Sequence, residues 1–92
     1  MEEDEKKEHR VLQVKIFITP KNGVVDPQGT TIKGALESLG YQGIASIKLG
    51  KYIKMELNTK NRAEAERDIE EMCGKLLANP VIENYRYEIE KG

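Results

Sequence analysis

The sequence predicts a two-layer α+β fold of the ferredoxin-like type, with the element order βαββαβ and an antiparallel sheet that carries two helices on one face. Apolar residues alternate with polar ones in short segments, which is typical of strands. They recur at helical spacing in two longer segments, and the segments follow one another as strand, helix, strand, strand, helix, strand. Such a sheet leaves its second face open, so the pattern also predicts association with a second copy of the chain.

The first strand is predicted over residues 11–19, and the first helix begins at Asp26-Pro27 and ends before Gly40. An aspartate side chain accepts hydrogen bonds from free backbone N–H groups, and proline suits the first helical position. Glycine adopts the left-handed conformation that often follows the last helical turn. The alternating apolar residues of the strand are Leu12, Val14, Ile16 and Ile18, and the stripe of the helix is Ile32, Ala35, Leu36 and Leu39.

Residues 44–57 have a strand-like pattern that is interrupted at Gly50-Lys51. Ile47 and Leu49 share one face before the interruption, and apolar residues alternate again after it. Two interpretations remain open at this point, namely two strands joined by a tight turn or one long bent strand.

The second helix is predicted to begin at Asn61, which forms a capping pair with Glu64, and to end at Asn79-Pro80. The last strand follows over residues 81–89. The apolar stripe of this helix consists of Ala65, Ile69, Met72, Cys73 and Leu76.

Three aromatic residues are expected on the sheet face that the helices leave open, and they are candidates for contact with a second subunit. Leu77 lies off the apolar stripe of the second helix and is also expected to face another subunit. The three aromatic residues are Phe17, Tyr85 and Tyr87.

The composition limits the chain to one modest domain with a heavily charged exterior. Its 92 residues are 38% hydrophobic and 34% charged, and the formal net charge is −1. That charge provides no positive field for nucleic acid, and no apolar run approaches the roughly 20 residues that a membrane span needs. Residues 1–10 are almost all charged and are predicted to be a flexible tail without a secretory signal, so the single domain covers residues 11–92. The one cysteine excludes an internal disulfide and fits the cytoplasm.

No arrangement of residues in the sequence predicts catalysis, a metal site or a bound cofactor. Cys73 lies on an apolar helix stripe, where a buried thiol is inert. His9 lies in the charged tail, with nothing to orient it as a base. One histidine and one cysteine cannot build a Cys/His zinc site. The chain is therefore expected to be non-catalytic by itself.

Three short stretches carry more specific chemistry than packing alone requires, and we take them as candidate partner contacts. The first is a helix start with an unusual glutamine and glycine in its first turn. The second is a loop tip that combines a cation and an aromatic ring, which are good interface chemistry. The third joins a helix directly to a strand. The stretches are Asp26-Pro27-Gln28-Gly29, Gly50-Lys51-Tyr52 and Leu76-Leu77-Ala78-Asn79-Pro80-Val81, and in the last of them the Asn79-Pro80-Val81 corner is the candidate contact.

With these stretches in this order and spacing, the chain resembles PurS, the family of small subunits of phosphoribosylformylglycinamidine synthase. The resemblance extends from about residue 11 to residue 89. Pro20 and Val25 stand where leucine-like residues are expected, and the charged amino-terminal extension is longer than usual. The matching segments are Val14-Lys15-Ile16, Gly23-Val24-Val25-Asp26-Pro27-Gln28-Gly29, Ala35-Leu36 with Leu39-Gly40, Gly50-Lys51-Tyr52, and Met72-Cys73 through Leu76-Leu77-Ala78-Asn79-Pro80-Val81-Ile82-Glu83-Asn84-Tyr85.

The resemblance implies a cytoplasmic, non-catalytic subunit of de novo purine biosynthesis. It implies a homodimer or tetramer that bridges a synthetase subunit (PurL) and a glutaminase subunit (PurQ) and supports the passage of ammonia between them. The assembled enzyme is a ligase that uses ATP and Mg²⁺ to convert formylglycinamide ribonucleotide and glutamine to formylglycinamidine ribonucleotide. No cofactor is expected on the small subunit itself.

Three other functions of the same fold are weighed against this one. An ACT-like regulatory dimer binds a small molecule at a subunit interface, but the sequence has only Asn22-Gly23 in place of a glycine-rich ligand loop. An RNA-binding sheet of the RRM type needs a basic aromatic face with a Lys/Arg-Gly-Phe/Tyr stretch, whereas residues 50–52 have these types in another order. An acylphosphatase-like enzyme needs a basic phosphate-binding loop, which the sequence does not indicate.

Overall fold

A computed structural model describes residues 11–59 and 61–91, so the predicted tail of residues 1–10 lies outside the described residues. The antiparallel α+β architecture of the ferredoxin-like class is confirmed. Within the described residues the elements are β1 (Val11–Pro20), α1 (Pro27–Ser38), β2 (Lys51–Asn58), α2 (Arg62–Met72) and β3 (Glu83–Lys91).

The sheet has the strand order β2-β1-β3, with both pairs antiparallel and β1 in the centre. The register places Ile16 between Ile53 of β2 and Tyr87 of β3. Because side chains alternate along each strand, the apolar residues of all three strands meet on one face. This face packs against α2, and the core that results contains Leu12, Val14, Ile16, Ile18, Ala65, Ile69, Cys73, Ala78 and Ile89.

The end of α2 departs from the α-helical spacing that the sequence predicts. Residues Cys73–Leu77 form a π-helical turn, in which the backbone N–H of Ala78 donates to the carbonyl of Cys73 at 2.9 Å. The wider turn rotates the chain, so Leu77 packs against the core and Leu76 is left 83% exposed. The prediction that Leu76 belongs to the apolar stripe and Leu77 faces outward is therefore wrong.

The prediction of a fourth strand before Gly50 is also wrong for this chain, because residues 41–50 form no regular element. Among residues 11–59 and 61–91, α2 is the one helix that covers the sheet, whereas two helices on one face were predicted. The apolar stripe of α1 does not pack on the strands, and Ile32 and Leu39 remain 38% and 75% exposed. The described chain is accordingly elongated, with a radius of gyration of 17.9 Å, where a compact domain of this length has about 12 Å.

The two tyrosines of β3 lie on the helix-covered face, and their prediction on the open face with Phe17 is wrong. Tyr85 pairs with Ile18 and Tyr87 with Ile16, and both rings pack against the core. The alternation along β3 correctly groups the tyrosines, but only the cross-strand register decides which face they share. Phe17 has the opposite phase and lies on the open face.

Candidate partner interface

The carboxylate of Asp26 joins the start of α1 to the segment that precedes β2. Its Oδ1 accepts from the backbone N–H of Gly29 at 3.0 Å, which confirms the predicted helix cap. Its Oδ2 accepts from the backbone N–H of Leu49 at 2.8 Å. These hydrogen bonds, of which the one from Leu49 is the stronger influence, hold the pKa of the Asp26 carboxyl below its usual value.

We expect the attachment of α1 to weaken in acid because of this carboxylate. A lowered folded-state pKa means that Asp26 stabilises the folded chain fully above its unfolded-state pKa of 3.8, and that this contribution is lost as the pH falls through the lower value. NMR titration of the Asp26 carboxyl carbon measures the pKa directly. In the Asp26→Asn variant at neutral pH, the backbone N–H signal of Leu49 should lie where the wild type shows it in acid. A signal at the wild type's neutral-pH position would contradict the predicted hydrogen bond from Leu49 to Asp26.

Gly29 is the position in this stretch where no side chain fits. A Cβ built there would lie 2.3 Å from the backbone oxygen of Ile47 and 2.7 Å from Oδ2 of Asp26. The glycine therefore permits α1 to lie directly against the segment before β2. Pro27 and Gln28 remain exposed, and with Ile32 they help to line a shallow cavity of about 390 Å³.

The Gly50-Lys51-Tyr52 stretch lies at the start of β2. A Cβ on Gly50 would lie 2.3 Å from the carbonyl oxygen of Ile18, so glycine permits a close approach to β1. The ammonium group of Lys51 donates to the carbonyl of Leu77 at 3.1 Å and thereby satisfies an acceptor at the end of the helix. This internal role was not predicted from the sequence.

An aromatic and cationic cluster occupies the open face of the sheet. The rings of Phe17 and Tyr52 stack with centroids 5.0 Å apart. The guanidinium carbon of Arg86 lies 4.0 Å from the centroid of the Phe17 ring, a cation–π geometry. Tyr52 remains 53% exposed. Arg86 was missed by the sequence reasoning, although it lies between the two inward-facing tyrosines and therefore has the phase of the opposite face.

Hydrogen bonds of its polar groups fix the Asn79-Pro80-Val81 corner, while the apolar side chain of Val81 remains exposed. Oδ1 of Asn79 accepts from the N–H of Val81 at 3.0 Å. The ammonium group of Lys21 donates to the carbonyl of Pro80 at 2.7 Å. The side chain of Val81 is 79% exposed, and Leu76 on the preceding turn is exposed as well.

The structure places the predicted residues at three positions rather than one. Asp26 and Gly29 meet the segment before β2, whereas Tyr52 joins Phe17 on the open face. The Asn79-Pro80-Val81 corner is the third. Tyr85 and Tyr87 belong to none of these positions. The phenol of Tyr85 donates to Oε2 of Glu70 at 3.2 Å, and burial followed by this hydrogen bond raises the pKa of Tyr85.

Exposed aromatic, cationic and apolar groups are suited to contact with another protein. Within residues 11–59 and 61–91, no three His, Cys, Asp or Glu side chains come close enough to hold a metal ion. Over the same residues, no helix is both long and apolar enough to cross a membrane. Burial, followed by the charge of Glu70, raises the pKa of the Cys73 thiol, which makes it a poor nucleophile.

Residues 13–91 match the family model PurS, described as phosphoribosylformylglycinamidine (FGAM) synthase. The PurS subunit of phosphoribosylformylglycinamidine synthase from Synechocystis sp. is 43% identical over 75 residues, which cover 82% of this chain and 75% of the relative. The Bacillus subtilis PurS subunit is 40% identical over 79 residues, which cover 86% of this chain and 93% of the relative.

Solved structures show the same similarity. The structure of B. subtilis PurS superposes with a TM-score of 0.78 at 40% identity and covers 86% of this chain and 98% of its own. A chain in the structure of PurLQS from Thermotoga maritima superposes with a TM-score of 0.77 at 29% identity and covers 87% and 98% of the two chains.

Proposed function

Since the chain belongs to the PurS family of phosphoribosylformylglycinamidine synthase subunits, we propose that it bridges a PurL-like synthetase and a PurQ-like glutaminase without catalysing a step itself. The observation that carries this proposal is the similarity to a chain of the Thermotoga maritima PurLQS structure over 87% of the present chain. The ACT-like regulatory alternative is not favoured, because the family model and the solved structures that match are PurS.

The bridging role has a physical basis in the chemistry of ammonia. Ammonia in neutral water is mostly protonated, and the ammonium ion is not a nucleophile. A subunit that fixes the relative orientation of glutaminase and synthetase helps to keep the nitrogen away from solvent between the two active sites. The ATP and Mg²⁺ of the reaction belong in this proposal to the synthetase, and the complex works in the cytoplasm.

The geometry divides the predicted contact residues by role. Asp26, Gly29, Gly50 and Lys51 hold the chain's own segments together, so their effect on a partner is indirect. The exposed groups are better candidates for direct contact. These are Pro27, Gln28, Tyr52, Pro80 and Val81, with Leu76 added by the structure.

Reconstitution with purified synthetase and glutaminase tests the bridging role. With glutamine as nitrogen donor, formylglycinamidine ribonucleotide should form only when this chain is present. With a high concentration of ammonium chloride, the synthetase should be much less dependent on it. Active partners that use glutamine equally well without the chain would refute the proposal.

Val81→Asp is expected to impair the assembled enzyme by placing a charge in the proposed contact. Glutamine-dependent turnover at limiting subunit concentration should fall about tenfold, equivalent to roughly 1.4 kcal/mol, while ammonium-dependent turnover changes little. Ala63→Asp, on an exposed position of α2, is the matched control. Equal loss in both variants, or equal loss with both nitrogen donors, would remove Val81 from the interface.

A further inference from the structure

Two lysines bind backbone carbonyls at the corner where α2 passes into β3. The ammonium group of Lys21 donates to the carbonyl of Pro80 at 2.7 Å, and that of Lys51 donates to the carbonyl of Leu77 at 3.1 Å. Among residues 11–59 and 61–91, neither lysine forms an ion pair with an aspartate or a glutamate. We call residues 76–82, together with Lys21 and Lys51, the corner surface.

Capping of the two carbonyls accounts for one N–H of each lysine, whereas an ammonium group has three. The other N–H groups of the exposed Lys51 and the half-buried Lys21 can donate to a further acceptor. Since the carbonyls already hold the ammonium groups in place, that acceptor orders them at little additional entropic cost. A carboxylate is the most favourable acceptor among the side chains, because both partners of the hydrogen bond are then charged.

The corner surface also exposes apolar side chains beside these cations, namely Val81 and Leu76. The carbonyl that Lys21 binds lies in the peptide bond that precedes Val81. The carbonyl that Lys51 binds belongs to the residue after Leu76. The two carbonyl carbons are three residues apart and therefore lie at most about 11 Å from each other. Both cations and both apolar side chains are thus within reach of one short segment of another protein.

The charge of Glu83 offsets the two lysines only in part. Its Oε1 accepts from the N–H of Asn79 at 2.7 Å, so this carboxylate is bound to the backbone of the corner itself. Two lysines and one glutamate give a net charge of +1, on a chain whose formal net charge is −1. Lys48 adds a further cation next to Lys21, since its ammonium group donates to Oδ1 of Asn22. The charge of the corner surface is therefore complementary to an acidic partner.

We propose that the corner surface binds an acidic segment of a partner protein, in which carboxylate side chains flank an apolar one. The carboxylates accept from the remaining N–H groups of Lys21 and Lys51, and the apolar side chain packs on Leu76 and Val81. For Lys51, this adds a direct contact to the internal role of its hydrogen bond to Leu77. The proposal rests on the proposed bridging function, because it states the chemistry of the partner at one of its contacts.

Other occupants fit the corner surface less well. A phosphate ion or another small anion would occupy the lysines but leave the side chains of Leu76 and Val81 exposed. A wholly apolar segment would remove water from the two ammonium groups without replacing its hydrogen bonds. An acidic segment with an apolar side chain satisfies both requirements.

Titration of the full-length, isotope-labelled chain with a synthetic acidic peptide tests this preference without the partners. The probe has one leucine between two pairs of glutamates, and the control peptide has lysines in place of the glutamates. The acidic peptide should shift the methyl signals of Leu76 and Val81 in a saturable way, and the shifts should shrink as salt screens the charges. The lysine peptide should leave these signals unchanged. Equal effects of the two peptides, no effect of either, or the same shifts with inorganic phosphate would overturn the proposal.

Charge variants of Lys21 test the proposal in the assembled protein. Binding of the purified synthetase and glutaminase to Lys21→Gln, measured by isothermal titration calorimetry, should weaken about two- to fivefold, as expected for the loss of one exposed ion pair. Lys21→Arg should bind like the wild type, because it keeps the charge. Lys54→Gln is the matched control, since Lys54 lies on β2 opposite Lys15 and away from the corner. The difference between Lys21→Gln and the wild type should vanish in high salt.

These two experiments separate acidic docking from the bridging function. If the partners bind all three variants as tightly as the wild type at low salt, acidic docking is wrong and bridging stands. If the partners do not bind the chain at all, bridging is wrong, and the peptide titration alone decides whether the corner surface recognises acidic segments.

Discussion

Replacement of Ile69 by alanine should lower the free energy of unfolding by about 2–5 kcal/mol, the range for removing a large aliphatic side chain from a packed core. Ile69 is fully buried in α2 and belongs to the cluster that contains Ile16 and Cys73. A domain of this size has a total stability of only about 5–15 kcal/mol. We therefore expect a large shift of the urea midpoint, measured by circular dichroism.

Leu76→Ala is the matched control, because helical periodicity places Leu76 on the same stripe while the π-helical turn leaves it exposed. Its free energy of unfolding should change by less than about 0.5 kcal/mol. Leu77→Ala, next to it and packed against the core, should cost more. The reverse order for these two leucines would mean that α2 continues as a regular α-helix to its end.

Replacement of Gly29 by alanine should displace residues 41–49, the segment before β2, from the start of α1. The added methyl group would lie 2.3 Å from the Ile47 oxygen, far inside van der Waals contact, and the obstacle is backbone that cannot rotate away. Overpacking of this kind costs about 1–3 kcal/mol. The free energy of unfolding in urea should fall by this amount, and the N–H signal of Leu49 in the NMR spectrum should shift because its bond to Asp26 is disturbed.

Gly34→Ala provides the comparison for this substitution within the same helix. No atom lies within 4 Å of a Cβ at Gly34, and alanine stabilises a helix interior by about 0.5–1 kcal/mol relative to glycine. The free energy of unfolding should be unchanged or slightly higher. A similar loss of stability in both variants would show that a change within α1, rather than its close contact with residue 47, causes the effect.

Local chemistry accounts for the features that the sequence predicted correctly. Both helix starts are confirmed at Asp26 and Asn61, and the side chain of Asn61 accepts from the N–H of Glu64 at 3.0 Å. The alternation in β1 correctly separates Ile16 and Ile18 from Phe17. Caps and alternation depend on neighbours within a few residues, so they can be inferred from one short window.

The wrong predictions depend on distant parts of the chain. The face that Tyr85 and Tyr87 occupy is fixed by pairing with β1, some 70 residues earlier in the sequence. The bond from Lys51 to Leu77 and the close approach of Gly29 to Ile47 also join separate segments. The strand predicted before Gly50 has no strand to pair with among residues 11–59 and 61–91.

Because the single thiol of this protein lies at the start of the π-helical turn, its reactivity reports how well that turn is packed. Cys73 begins that turn and is fully shielded from solvent by the core. A thiol reagent in solution can therefore react only when the end of α2 separates from the sheet, and burial already keeps the thiol protonated. The rate of labelling thus reports the opening of this one region in the native chain, close to the Asn79-Pro80 corner, without an introduced probe.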